Sequence, residues 1–164
     1  MRHYPKLHRA TLTASLMLVA IAGAAVAGPL EDGEAAYQRE DYATAYRLLG
    51  PLADQGNAEA QDMLGTMYDH SEGVAKNYSE AVKWYHRAAD QGNADAQSHL
   101  GLMYAAGEGV PRDYVRAHKW LNLSAARGNN FAIKYRDNIA ERMTPAQIAE
   151  AQKLAREWKP KPER

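Results

Sequence analysis

The sequence predicts an all-α fold, an α/α superhelical solenoid of about three 36-residue helix-turn-helix repeats with a leading N-terminal helix and a C-terminal capping helix. The main observation is that several residue types recur at an interval of 36: Tyr42, Tyr78 and Tyr114; Ala45, Ala81 and Ala117; Gly56, Gly92 and Gly128; Asn57, Asn93 and Asn129; and Ala60, Ala96 and Ala132. Repeats of this length are typical of stacked helical pairs. Because each pair is too small to bury its apolar face alone, neighbouring pairs share a core and leave an extended surface suited to binding a partner.

Residues 1–27 have the pattern of a cleaved secretory signal peptide. Basic residues lie near the start, the stretch 12–26 is apolar and rich in alanine, and Ala25 and Ala27 supply the small residues of a cleavage site. A membrane anchor is the alternative, but the uncharged stretch 10–28 only just reaches the length that spans a bilayer. We therefore expect cleavage after Ala27, a periplasmic or secreted chain, and no stable membrane insertion after removal of the signal.

The composition of residues 28–164 limits the classes of function. This segment has 137 residues, with 17 basic and 20 acidic side chains and a net charge of −3, which is long enough for one domain with its own core. Such a balance gives no indication of a nucleic acid partner. Because the sequence has no cysteine, it has no disulfide, no thiol nucleophile and no thiolate metal site. We predict no cofactor.

The repeat domain is expected to span 28–158. Its leading helix is predicted over 30–39, where Ala35, Ala36 and Tyr37 supply an apolar surface. The repeats that follow are predicted at approximately 42–77, 78–113 and 114–143.

The first helix of a repeat is best defined in the second unit, where four residues at helical spacing form one apolar stripe: Ala81, Tyr85, Ala88 and Ala89. Asn77 precedes the stripe as an N-cap, and Glu80 is spaced to complete a capping box. Asp41 and Asp113 occupy the same cap position in the flanking units. Gly92 is expected to end the helix in a left-handed conformation.

The second helix of this unit follows almost at once, with Asn93 as its N-cap and an apolar stripe of Ala96, Leu100, Met103 and Tyr104. The short link between the two helices predicts antiparallel packing. A loop rich in glycine, 105–111, then leads to the next unit. The first unit has Ser71 in place of Gly107, so a left-handed backbone there would cost about 1 kcal/mol unless the loop differs.

The C-terminal part of the chain departs from the repeat. The third unit keeps its first helix, predicted over 114–127. In the region of its second helix, Arg136 and Asp137 replace the apolar residue and the small residue of the repeat pattern. Terminal repeats commonly deviate in this way because their outer face meets water.

A capping helix is predicted over 145–158. Thr144 and Gln147 are spaced as a capping box with proline at the first helical position, and Pro160 prevents continuation of the helix. The remaining residues, 159–164, are predicted to form a flexible tail.

The repeated segments resemble a known family. YSEAVKWYHRAADQGNADAQSHLGLMYAAGEGVPRD, residues 78–113, is similar to a full Sel-one-like repeat (SLR), a relative of the tetratricopeptide repeat. YATAYRLLGPLADQGNAEAQDMLGTMYDHSEGVAKN is a second copy, and the ending resembles that of small exported bacterial members. The resemblance implies an α/α solenoid that acts as an adaptor or regulator through protein contacts, often in the bacterial cell envelope.

The histidines and serines do not form the patterns expected of a catalytic or metal-binding site. His70, His86, His99 and His118 lack the close spacing that places two imidazoles on one helical face. No serine lies in a G-x-S-x-G or S-x-x-K pattern. The cysteines of relatives linked to β-lactam hydrolysis are absent. We therefore expect a non-enzymatic exported protein, with a cell-wall or β-lactam-acting hydrolase and a self-associating structural protein as the alternatives.

Candidate partner-binding residues form a row on the first helices of the repeats. Arg47, Lys83 and Lys119 share one repeat position, and His86 and Asn122 lie one turn after the last two. In solenoids of the tetratricopeptide type the first helices line the concave face, where a row of cations can bind the carboxylates of a protein or peptide. The alternative is a solvated charged face. The recurring Trp84 and Trp120 could form an aromatic platform for a peptide or sugar, but a packing role is favoured. We expect a cell-envelope protein as partner, with the chain a monomer or weakly self-associated.

Overall fold

A computed structural model describes residues 28–162, which fold into eight α-helices and no strands. The helices are α1 (Pro29–Gln38), α2 (Tyr42–Asp54), α3 (Ala58–His70), α4 (Tyr78–Gln91), α5 (Ala94–Ala106), α6 (Tyr114–Ala125), α7 (Asn130–Ala140) and α8 (Pro145–Glu157). Helices adjacent in sequence pack on one another from α1 to α7, and α8 packs across α6. This arrangement confirms the all-α solenoid. The predicted signal peptide, 1–27, lies outside the described residues.

None of the helices in the range 28–162 is both long enough and apolar enough to cross a membrane.

The helix starts follow the predicted capping chemistry. Asp41, Asn77, Asn93 and Asp113 each accept a hydrogen bond from the backbone amide three residues later, which satisfies one of the free amides of the first turn. The predicted capping box at Asn77 is only half formed, because the Glu80 carboxylate pairs with Lys83 instead. The box at the start of α8 has both of its hydrogen bonds, between Thr144 and Gln147.

Left-handed residues end several helices. Gly92 has φ 98° after α4, as predicted. Ser71 has φ 64° and ψ 38° after α3, so the first loop keeps the left-handed backbone found at Gly107, although its residue there has a side chain. The folded chain therefore retains the free-energy cost of a left-handed backbone at Ser71.

Glycine and alanine let neighbouring helices approach closely. The Cα of Gly65 on α3 faces the ring of Tyr85 on α4, and Gly101 on α5 faces Leu121 on α6 in the same way one repeat later. Ala45, Ala81 and Ala117, which share a repeat position, are fully buried. The core is therefore built from one packing arrangement used repeatedly, with large side chains opposite small ones.

The third unit forms its second helix without the repeat's apolar pattern. Of the residues of α7, Ala132 and Ile139 are buried. Helix α6 ends at Ala125, two residues before the predicted end, because a turn forms in which the amide of Arg127 donates to the carbonyl of Ser124. Helix α8 buries its small-residue face, including Ala151, against α6.

Candidate protein-binding cleft

Helices α4 and α6 and the segment 158–162 border a cleft, which we call the α4 cleft. It consists of two adjoining cavities of about 900 and 470 Å³. Both cavities are lined by His86, Asp90, Tyr104 and Lys161. The larger is completed by Val82, Lys83, Arg87, Val110 and Pro162, and the smaller by Arg116, Lys119, Trp120, Leu154 and Trp158. A cleft of this size with apolar and charged walls suits a peptide segment or a small ligand.

The C-terminal segment forms one wall of the cleft. The ring of Trp158 lies edge-on to that of Trp120, with centroids 6.2 Å apart and planes at 72°, and the Arg127 guanidinium lies 5.3 Å from the Trp158 ring. Further along, the amide of Lys161 donates a hydrogen bond of 2.8 Å to the carbonyl of Asp90. This carbonyl lies in the last turn of α4, where carbonyls lack partners within the helix. Residues 159–162, predicted as part of a flexible tail, therefore lie against α4.

Three of the predicted binding residues line the cleft. Lys83 forms an exposed ion pair with Glu80, and His86 Nδ1 lies 3.4 Å from a carboxylate oxygen of Asp90. The Lys119 ammonium lies 3.8 Å from the centre of the Trp120 ring. These side chains are therefore held by an ion pair, a nearby carboxylate and an aromatic face, which keeps them on the cleft wall.

Burial is the main influence on the pKa of Lys119. Burial lowers the pKa of its ammonium, and the charges of Lys161 and Arg116 lower it further, against an opposing effect of Asp90. Like charges disfavour the protonated form of a lysine. An anion placed beside Lys119 would favour the protonated form of its ammonium.

Two of the predicted binding residues lie outside the cleft. Arg47 is exposed on α2 and lines neither cavity. Asn122 Oδ1 accepts a hydrogen bond of 3.2 Å from Arg136 Nη1 on α7, so its side chain serves the contact between α6 and α7. Equivalent repeat positions therefore face different surroundings, because α8 and the C-terminal segment cover only the later part of the solenoid.

Sequence reasoning missed Lys161, Pro162, Arg87, Tyr104 and Val110, which also line the larger cavity. The alternating Lys-Pro residues after α8 favour an extended chain, which is a signal for the conformation of this segment. No local signal indicates that it folds back onto α4, because that contact depends on the Asp90 carbonyl and on the pairing of Trp158 with Trp120.

Of the other histidines within residues 28–162, His70 is exposed, and His99 and His118 take part in packing. His99 Nδ1 lies 2.9 Å from Asp62 Oδ1, and its ring is 4.8 Å from that of Tyr85. His118 is buried, and burial lowers its pKa. Within residues 28–162, no group of three or more histidine and carboxylate side chains is arranged to bind a metal ion.

The two recurring tryptophans are packing residues. Trp120 is buried, with only 3% of its surface exposed. Trp84 packs against the core of α1–α3, and the Arg87 guanidinium covers its ring at 4.5 Å. This placement agrees with the packing role predicted for both side chains.

Comparison with known proteins relates the chain to one family. The model of the Sel1 repeat matches residues 25–57, 58–93 and 94–129. The last two matches contain the pairs α3–α4 and α5–α6, so they begin one helix later than the repeats delimited from the sequence. A search of curated proteins gave no match.

Two solved structures are similar to the chain. One is c5321, a protective antigen present in uropathogenic Escherichia coli strains that displays an SLR fold; it is 29% identical with a TM-score of 0.76. The match covers 79% of this chain, which spans only 29% of the length of c5321. The other is a Sel1 repeat protein from Oxalobacter formigenes, 34% identical with a TM-score of 0.61, over 67% of this chain and 86% of that one.

Proposed function

The chain belongs to the Sel1 repeat family, and on this basis we propose that it is an exported, non-enzymatic adaptor or regulator that binds a segment of another cell-envelope protein in the α4 cleft. Proteins of this family are typically scaffolds for protein–protein interactions. The observation that carries the proposal is the larger cavity of the α4 cleft, about 900 Å³, which is open beside α4 in the folded residues 28–162. Its walls combine an apolar surface with cations, as a preformed peptide site requires.

The test is affinity capture from a crosslinked envelope extract. The full-length chain is produced in a bacterial host, so that any signal is processed, and is compared with a Lys83→Glu/Lys119→Met variant. Methionine keeps an apolar stem over the Trp120 ring while it removes the charge. The matched control, Lys134→Glu/Lys153→Met, makes the same change in net charge at exposed positions outside the cleft.

A protein captured by the native chain and the control, but lost with the cleft variant, supports an adaptor that uses this site. Equal recovery with all three forms refutes the α4 cleft as the site. Thermal melting of each variant shows whether the comparison is made on folded protein.

Export and the absence of catalysis have separate tests. We propose a periplasmic or secreted location on the pattern of residues 1–27 alone. Mass spectrometry of the chain from a periplasmic fraction should show an N-terminus at Gly28, and retention of the full chain in the cytoplasm would refute export.

Hydrolysis of peptidoglycan or β-lactams that follows the purified protein through chromatography would refute the non-enzymatic assignment.

Self-association is a second candidate, favoured by one observation. Phe131 and Tyr135 on α7 are 49% and 42% exposed, and their rings lie 4.3 Å apart. An exposed aromatic pair is unusual on a surface without a partner. If this pair joins copies of the chain, light scattering over a range of concentrations should show a dimer that Phe131→Ser/Tyr135→Ser removes. A monomer at all concentrations would exclude this candidate.

A further inference from the structure

We propose that the segment 158–162 is part of the binding site, and that the α4 cleft accepts an extended acidic segment of the partner between Lys161 and the cations of α4. This inference rests on the proposed adaptor function and names the chemistry of the partner. It assigns a role to the C-terminal residues, which the repeat pattern does not include.

The C-terminal segment is held as a wall and leaves the cleft open. It is anchored at one end by Trp158 on Trp120 and at the other by the hydrogen bond from the Lys161 amide to the Asp90 carbonyl. Pro160 and the following proline favour an extended backbone. The larger cavity, about 900 Å³, borders this segment, since Lys161 and Pro162 are among its lining residues.

The charges around the larger cavity favour a negatively charged ligand. Lys83, Arg87 and Lys161 line it as cations, and His86 adds a further positive charge when protonated. Asp90 is the acidic residue in the same lining, and Glu80 lies nearby in its ion pair with Lys83.

The cations are not all equally engaged. The guanidinium of Arg87 donates to the carbonyl of Ala53 at 3.1 Å, while Lys161 borders both cavities. Lys119 lines the second cavity together with Lys161. A carboxylate in the space between these lysines would be attracted by both of them.

An apolar surface lies between the charged groups. Val82, Tyr104, Val110 and Pro162 line the larger cavity, and their side chains provide a place for one aliphatic side chain of the ligand. The combination selects an extended segment in which acidic residues flank an aliphatic residue. A basic segment would place its charges against the three cations and is therefore disfavoured.

The test is a titration of the full-length chain, isotopically labelled, with a capped peptide of two glutamates, one leucine and two further glutamates. Peptides with lysine or glutamine in place of glutamate serve as comparisons. We expect saturable shifts of the amide resonances of Lys83, Asp90 and Lys161 with the acidic peptide. Lys161→Glu, and separately deletion of residues 161–164, should weaken binding about tenfold, whereas Lys153→Glu, the same change on the exposed face of α8, should leave it unchanged.

Several results would overturn the inference: no saturable shifts with the acidic peptide, equal binding of the lysine peptide, shifts centred on α7, or equal effects of Lys161→Glu and Lys153→Glu. Including the Lys161→Glu form in the capture experiment distinguishes a failure of this inference from a failure of the proposed adaptor function. A partner captured equally by the native and Lys161→Glu forms leaves the adaptor function standing and refutes the inference. Peptide binding that depends on Lys161, with no captured partner, supports the inference and counts against the proposed function.

Discussion

Gly65 occupies the closest approach between α3 and α4, and we expect Gly65→Ala to destabilise the fold. A Cβ at this position would lie 2.5 and 2.6 Å from Cδ1 and Cε1 of Tyr85, about 1 Å closer than favourable contact between carbon atoms. The Tyr85 side chain is fully buried, and its hydroxyl donates to Thr66 Oγ1 at 3.3 Å. The ring therefore cannot move away without losing this contact or separating the helices.

The expected size of the effect is the difference between two opposing contributions. Overpacking a filled core costs about 1 to 3 kcal/mol, and the upper end applies at Gly65 because the new methyl group meets a confined ring. Replacing glycine by alanine inside a helix contributes about 1 kcal/mol in the opposite direction. The net loss is about 2 kcal/mol, which corresponds to a melting temperature lower by about 5 to 10 °C for a domain of this size.

Thermal and urea unfolding followed by circular dichroism measure this change. Gly50→Ala on α2 is the control, because a Cβ there meets no atom within 4 Å apart from those of its chain neighbours. The gain in helix propensity, about 1 kcal/mol, is opposed by crowding against the ring of the following Pro51, so the free energy of unfolding should change little. If Gly65→Ala is no more destabilising than Gly50→Ala, the argument that glycine sets the distance between α3 and α4 is wrong.

Three further predictions concern single residues. Ser71→Gly should raise the free energy of unfolding by about 1 kcal/mol in urea unfolding, because it removes the left-handed strain. Burial acts to lower the pKa of His99, but the hydrogen bond to Asp62 and its charge raise it overall, so the contribution of protonated His99 to stability is complete below pH 6.5 and is lost as the pH rises through the folded-state pKa. Melting temperatures from pH 5 to 8 measure this loss. Thr144→Ala should cost about 1 kcal/mol in urea unfolding, because it removes the side-chain cap of α8.

Each of these has a control. Ser79→Gly places glycine at an exposed helical position and should lower stability; a gain equal to that of Ser71→Gly would contradict the strain argument. Asp62→Asn should flatten the pH dependence attributed to His99, and an unchanged slope would assign that dependence to another group. Ser79→Ala leaves every helix cap in place. If Thr144→Ala lowers the free energy of unfolding no more than Ser79→Ala does, the Thr144 cap contributes nothing to stability.

Much of the fold could be predicted because its signals are local. The caps at Asn77 and Asn93 and the left-handed Gly92 depend on hydrogen bonds and backbone angles within a few residues. The second helix of the third unit was harder to recognise, since Arg136 replaces an apolar residue of the pattern; the structure shows that its long side chain reaches Asn122 instead of entering the core.

The candidate site could be predicted only in part. Lys83 and Lys119 were found from their shared repeat position, and both line the α4 cleft. Arg47 shares that position but lies outside the cleft, because the segment that forms the opposite wall lies against α4 and packs on Trp120 of α6. A repeat identifies equivalent positions within each unit, whereas the neighbours of those positions change along the stack.

The sequence by itself determined the repeating helical pairs, their caps and the small residues that bring the helices together, because these depend on spacing within one repeat or between adjacent ones. Only the tertiary structure decided where the C-terminal segment lies. That placement depends on the contact of Trp158 with Trp120 and on the hydrogen bond from the amide of Lys161 to the carbonyl of Asp90. Trp158 and Lys161 lie outside the repeat register and far from Trp120 and Asp90 in sequence, so no pattern in the chain relates them. They meet because α8 crosses α6 and directs the following residues onto α4.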